Sequence, residues 1–139
     1  FRQSDILRLH EMLMSHAGYE YGGQYKTDDN VILEVDAQGQ RRVRFRPTPA
    51  AETPQAMEQL ELAYLEARSD ANINQLLLIP CVILDFLCIH PFRDGNGRMS
   101  RLLSLLLLFH LVSPFHLSGV CPMLFISPLL CSCYLIYFT

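Results

Sequence analysis

Twelve consecutive residues, His90-Pro91-Phe92-Arg93-Asp94-Gly95-Asn96-Gly97-Arg98-Met99-Ser100-Arg101, gather the parts of a phosphate-handling loop. Gly95 and Gly97 permit positive φ angles, so successive N–H groups can turn inward as an anion nest. A helix that starts there adds its N-terminal N–H groups and its dipole to the same attraction. Arg98 and Arg101, three residues apart, share one face of the first turn and aim back at that site. Asp94 offers hard oxygen ligands suited to Mg2+ between phosphates. His90 is the neighbouring group whose ordinary pKa suits it to take a proton at neutral pH. A base, a metal carboxylate, a nest and two guanidiniums are what a phosphoryl or nucleotidyl transfer needs.

Several elements must position that loop. Ser4-Asp5 followed by Ile6, Leu7, Leu9, Met12 and Leu13 predicts an amphipathic helix ending near Gly18, with a glycine- and tyrosine-rich link from Tyr19 to Tyr25. Val31–Val35 and the alternating Arg41–Phe45 flank Asp36-Ala37-Gln38-Gly39, which predicts a hairpin closed by Pro47 and Pro49. Thr53-Pro54 predicts a helix start, with a capping hydroxyl and then proline at the first helical position. Met57, Leu60, Leu62, Tyr64 and Leu65 give that helix a broad apolar face up to about Arg68. The apolar run from Asn72 to Ile89 reads as a buried helix that Pro80 kinks or starts, and it delivers His90. A second apolar helix is expected from Asn96 to Leu111.

With these elements in order, His90–Arg101 resembles the signature of the Fic family, His-Pro-Phe-x-Asp-Gly-Asn-Gly-Arg-x-x-Arg, at every specified position. The likeness runs over about residues 3–110. It implies a mostly α-helical domain, residues 1–111, with one β-hairpin flap. It also implies transfer of AMP from ATP to a Ser, Thr or Tyr hydroxyl of a target protein, with removal of AMP as a second activity at the same site. By the resemblance His90 would deprotonate the hydroxyl, and Asp94 would hold Mg2+ on the α- and β-phosphates. Gly95, Asn96 and Gly97 would cradle the phosphates, Arg98 and Arg101 would hold the outer ones, and Phe92 would pack beneath the loop. The 31–45 hairpin would be the flap whose edge pairs with the target. Glycine at both 95 and 97 matches the AMP-transferring pattern rather than the related Doc-type kinases. The family's inhibitory helix carries Ser/Thr-x-x-x-Glu-Gly/Asn, whose glutamate pairs with the second arginine, here Arg101. Thr48 and Glu52 have that spacing, but Thr53 follows and the prolines oppose a helix.

Two other readings stay open. The same site would serve another donor, such as UTP, a CDP-alcohol, or ATP giving up its γ-phosphate. Alternatively the loop binds nucleotide or protein without turnover.

The rest of the composition bounds these readings. The chain has 139 residues, half of them hydrophobic, and a net charge of −3. That suits one core-rich domain and gives no global reason to bind nucleic acid. Arg41, Arg42, Arg44 and Arg46 read as a solvated strand face, with no aromatic interleaving for base stacking. His10, His16, His110 and His116 lack ligand spacing and read as ordinary residues, and Cys131-x-Cys133 has no partner histidines. Cys81 and Cys88 read as small buried hydrophobes, which suggests a reducing, cytoplasmic compartment. The first residue is Phe1 rather than Met, so the chain reads as an excerpt or a processed product, and no signal peptide opens it. Leu102–Thr139 carries no Asp, Glu, Lys or Arg, and from Val112 the chain leaves the family pattern. This atypical tail, residues 112–139, has three competing readings: a membrane segment, an alternative end that packs as core, or a reading-frame or splicing error. Pro122 and Pro128 weigh against a span.

Overall fold

The computed structural model describes residues 2–112. The expectations for the apolar tail from Ser113 onward, and for His116, Cys131 and Cys133, lie outside the described residues.

The architecture is four helices with one hairpin. Helix α1 spans Gln3–His16, strands β1 and β2 span Ile32–Val35 and Arg41–Phe45, a 3-10 turn covers Ala50–Glu52, and helices α2, α3 and α4 span Thr53–Ser69, Gln75–Ile89 and Asn96–Val112. The mostly helical fold with one hairpin is as expected. Between Thr48 and Glu52 only Ala50–Glu52 is helical, as a single 3-10 turn and not an inhibitory helix.

Each helix buries a narrower stripe than its apolar content suggests. On α1 the buried residues are Ile6, His10 and Met14, four apart, while Met12 faces out. On α2 they are Thr53, Met57, Leu60 and Tyr64, and the expected Leu62 and Leu65 are exposed. Helix α3 starts at Gln75 because the Asn74 side chain accepts a 2.9 Å bond from the Leu76 N–H. Pro80 therefore lies inside α3.

Helix α3 was expected to be buried throughout. It buries Ile79, Val82, Ile83, Phe86, Leu87 and Ile89, and leaves Leu84, Asp85, Cys81 and Cys88 on an exposed stripe. Both cysteines are free and exposed, which overturns their reading as buried hydrophobes. The cause is the helical period: positions 81, 84, 85 and 88 share one face whatever their apolarity. The compartment argument built on their burial loses its premise. Among the described residues no helix is long and apolar enough to cross a membrane.

Thr53 departs from expectation too. Its buried hydroxyl donates to the Pro49 carbonyl at 2.9 Å instead of capping α2, whose N-cap is Glu52. Proline does occupy the first turn as predicted.

In the hairpin Leu33 pairs with Val43, Glu34 with Arg42 and Val35 with Arg41, with an irregularity between Ile32 and Leu33. The turn is tied by Asp36, whose carboxylate accepts from the Gln38 and Gln40 N–H groups at 2.9 and 2.8 Å. Glu34 forms ion pairs with Arg42 and Arg44, so the basic stripe is partly neutralised on its own sheet.

Helices α3 and α4 pack on one another, and the residues between them, 90–95, are the chemistry-bearing loop. The loop is thus the connection of a packed helical pair, held at both ends by a core that includes Phe86, Met99 and Leu103.

Candidate active site

Helix α3 ends on His90, whose backbone is left-handed, with φ 51 and ψ 60. A non-glycine residue in this region is strained by about 1–2 kcal/mol, so neighbouring contacts must hold it. The His90 N–H donates to the Phe86 carbonyl at 2.9 Å and closes the helix. Burial lowers the ring's pKa below its ordinary 6.5, a backbone bond at Leu87 opposes this, and the charge of Lys26 lowers it further. The Leu87 bond favours the protonated ring, so the ring is its donor. The half-buried imidazole therefore favours its neutral form, as a general base requires.

Pro91 and Phe92 are fully buried beneath the loop. The Asn96 side chain folds back on Phe92, accepting from its N–H at 2.9 Å and donating to its carbonyl at 2.7 Å. Asn96 is itself 2% exposed, so its side chain staples the loop and does not face a ligand. The role implied for it in cradling phosphate is left to its main chain.

Asp94 stands at the mouth with its side chain half exposed. One carboxylate oxygen accepts from the Gly95 N–H at 2.6 Å, and the other pairs with Arg98 at 3.0 Å. That pair spans one helical turn and is open to solvent, so it contributes about 0.3–0.5 kcal/mol and gives way easily. Gly95 has φ +82, as the nest reading requires. Gly97 is not among the glycines with positive φ, and this corrects the expectation that both glycines supply left-handed backbone. It lies inside the first turn of α4, with the Arg101 guanidinium 3.8 Å from where a Cβ would sit. What glycine contributes at 97 is open space. Arg98 on the first turn of α4 and Arg101 on the second are both partly exposed, while Met99 and Leu103 face the core.

One residue read as ordinary belongs to the site. His10 of α1 is 2% exposed and stacks on Phe92, with centroids 3.7 Å apart and planes 8° from parallel. Its Nδ1 accepts from the Gly23 N–H, and its Nε2 lies 3.1 Å from the Asp94 carbonyl. A backbone N–H can only donate, so Nδ1 is bare and Nε2–H donates to Asp94. Burial lowers the pKa of His10 against the opposing Asp94 bond, which suits this neutral tautomer. His10 thus ties the nest to α1 without facing a substrate. The signal for it was the four-residue spacing of Ile6, His10 and Met14.

Asp94 also meets the needs of a Mg2+ ligand, since it is a hard carboxylate at an open mouth with lone pairs to spare. Among the described residues no three His, Cys, Asp or Glu converge on a metal site, so an ion there would take its other ligands from phosphates and water.

The model of the Fic/DOC family matches residues 1–108. A Fido domain-containing protein of Dictyostelium discoideum is 32% identical over 87 residues, which are 63% of this chain and 59% of that protein. A Fic domain-containing signaling protein from Bacteroides thetaiotaomicron superposes with a TM-score of 0.66 at 29% identity, covering 78% of this chain and 38% of that one. A Fic family protein from Desulfovibrio desulfuricans gives a TM-score of 0.60 at 32% identity over 78% of this chain and 30% of that one. The BepC effector of Bartonella tribocorum, solved with bound AMPPNP, shares the fold at a TM-score of 0.56 and 18% identity, over 76% of this chain and 54% of that one. The chain spans about three fifths of the curated relative and smaller shares of the solved structures.

Proposed function

The chain belongs to the Fic/DOC family, whose members commonly transfer AMP or other nucleotidyl groups to proteins, and from that premise we propose that it is a protein adenylyltransferase moving AMP from ATP to a Ser, Thr or Tyr hydroxyl. One observation carries the reading: a half-buried histidine in left-handed backbone closes α3, and a positive-φ glycine immediately precedes α4, within one short connection.

In this reading the N-terminal turn of α4 receives the β-phosphate, and Arg98 and Arg101 hold the outer phosphate. Arg98 leaves Asp94 to do so, at the small cost already noted. The α-phosphorus is then the phosphorus nearest His90. The target hydroxyl oxygen bonds to it, its proton passes to the unprotonated nitrogen of the His90 ring, and the bond to the bridging oxygen breaks to release pyrophosphate. Asp94 would hold Mg2+, which when bound neutralises charge on that leaving group. The target chain would lie along the 31–45 hairpin, whose backbone edge presents the hydroxyl without reading much sequence. Removal of AMP would use the same groups with water as acceptor: the water oxygen bonds to the phosphorus, the bond to the target oxygen breaks, and that oxygen takes up the proton.

Incubation of the protein with α-labelled or γ-labelled ATP and candidate targets tests the proposal. Label should move from the α position alone. His90→Ala should lower transfer by about 10²–10⁴ while ATP binding survives. Transfer of γ label alone would make the protein a kinase. Heat stabilisation by ATP without transfer of either label would favour a binding module.

A further inference from the structure

His90 sits in a strained backbone conformation, and the groups that hold it there come from a distant part of the chain. Lys26 follows the link after α1 and is 6% exposed. Its backbone N–H donates to the Pro91 carbonyl at 2.9 Å. Its ammonium donates to the Ile89 carbonyl at 3.1 Å and to the Asn30 amide oxygen at 2.8 Å. Asn30 in turn donates to the Phe92 carbonyl at 3.2 Å. The carbonyls of residues 89, 91 and 92, on both sides of His90, are therefore all held by Lys26 and Asn30.

We propose that Lys26 is the positioning residue for the proposed base: by clamping the Ile89 and Pro91 carbonyls it fixes the left-handed turn that presents the His90 ring.

Both oxygens that the ammonium contacts are neutral. Burying a charge against neutral groups is costly, and an apolar residue of similar volume would fill the space at less expense. The charge must therefore be used. It lies at the C-terminal end of α3, where unsatisfied carbonyls and the helix dipole favour a cation. It also acts on His90, whose pKa it lowers alongside burial. Asp29 is the acid that opposes the burial-lowered pKa of Lys26 and helps keep the ammonium charged. A neutral donor would hold the carbonyls but would not add to the lowering of the imidazole pKa that burial begins. The inference rests on His90 being the base, but its geometry is independent of the donor nucleotide.

The test therefore has two arms. In the first, the His90 ring resonance, assigned by its loss in His90→Ala, is followed through a pH titration in the wild type and in Lys26→Met, Lys26→Gln and Lys26→Arg. The midpoint should move to higher pH in Met and Gln and stay near the wild-type value in Arg. An unchanged midpoint in folded Lys26→Met and Lys26→Gln overturns the proposal. This arm needs no turnover, so it stands even where the transferase reading fails. In the second arm, with transfer in hand, kcat should fall about 10–100-fold in Lys26→Met with KM for ATP within about twofold, and Lys26→Arg should restore much of the rate. A loss confined to KM overturns the proposal. So does loss of the fold in both neutral variants while His90→Ala stays folded, because Lys26 would then be a fold residue only.

Discussion

Gly95 and Gly97 look equivalent in the motif but should fail for opposite reasons. Alanine at 95 must adopt φ +82, which costs about 1–2 kcal/mol for a residue with a Cβ. That Cβ would also meet the Met14 sulfur at 3.2 Å and His10 Nε2 at 3.4 Å. Both are side chains that can yield by a few tenths of an ångström, so crowding adds less than the backbone term. The sum for Gly95→Ala is roughly 1.5–3 kcal/mol of lost stability. Alanine at 97 meets only Arg101, at an ordinary 3.8 Å, and needs no positive φ. Inside a helix it replaces the residue with the poorest propensity short of proline, a gain of up to about 1 kcal/mol that is smaller in a first turn. Gly97→Ala should thus fold at least as well as the parent, yet bind Mg-ATP more weakly because a methyl group fills the nest beside Arg101. Denaturant unfolding gives the stabilities and calorimetric titration gives the affinities. A Gly95→Ala variant as stable as the parent, or a Gly97→Ala variant less stable than Gly95→Ala, would refute the reasoning.

The other expectations are as direct. His10→Phe keeps the stack on Phe92 but leaves the Gly23 N–H and the Asp94 carbonyl unpaired, so it should cost about 1–3 kcal/mol in unfolding and weaken ATP binding; full retention of both would remove His10 from the site. Val43→Pro, placed opposite Leu33, should impair target modification while calorimetric ATP binding survives, and unchanged modification would discard the flap role. A chain ending at Leu111 should bind Mg-ATP like the full chain, because every group assigned to nucleotide lies at or before Arg101; loss of binding in that folded chain would count against the domain boundary. The folded pKa of His90 lies below 6.5 and the working base is neutral, so the acid limb of transfer should have its midpoint below pH 6.5. For stability the sign is the same: the unfolded ring binds its proton first, so the His90 contribution is complete above pH 6.5 and declines as pH falls from there to the folded pKa. A kinetic limb above 6.5 would show that burial does not govern the ring.

What was legible in the chain follows a physical division. The loop and its elements could be read because their determinants are local. Proline and glycine punctuate, the hairpin turn carries its own aspartate, and the motif residues are contiguous. Which face of each helix is buried could not be read, because α3 is apolar nearly all round. Only its packing partners decide that Ile83 goes in and Leu84 stays out. The same limit hid the support of the site. The bond from His10 to Asp94 spans 84 residues, and that from Lys26 to Ile89 spans 63.

His10 and Lys26 were not equally hidden. A histidine at the centre of an otherwise apolar four-residue stripe is a signal, since a polar ring buried among Ile6 and Met14 must find partners for both nitrogens. Lys26 has no such mark. It is followed by Thr27, Asp28 and Asp29, and a lysine in that company reads as solvated. The motif names the groups that would touch the nucleotide, but the strained His90 backbone and the bare Nδ1 of His10 exist only because residues from the first quarter of the chain close over the loop. An isolated α3-loop-α4 segment would carry every motif residue and lack the carbonyl clamps. The catalytic arrangement therefore belongs to the packed domain and not to the motif alone.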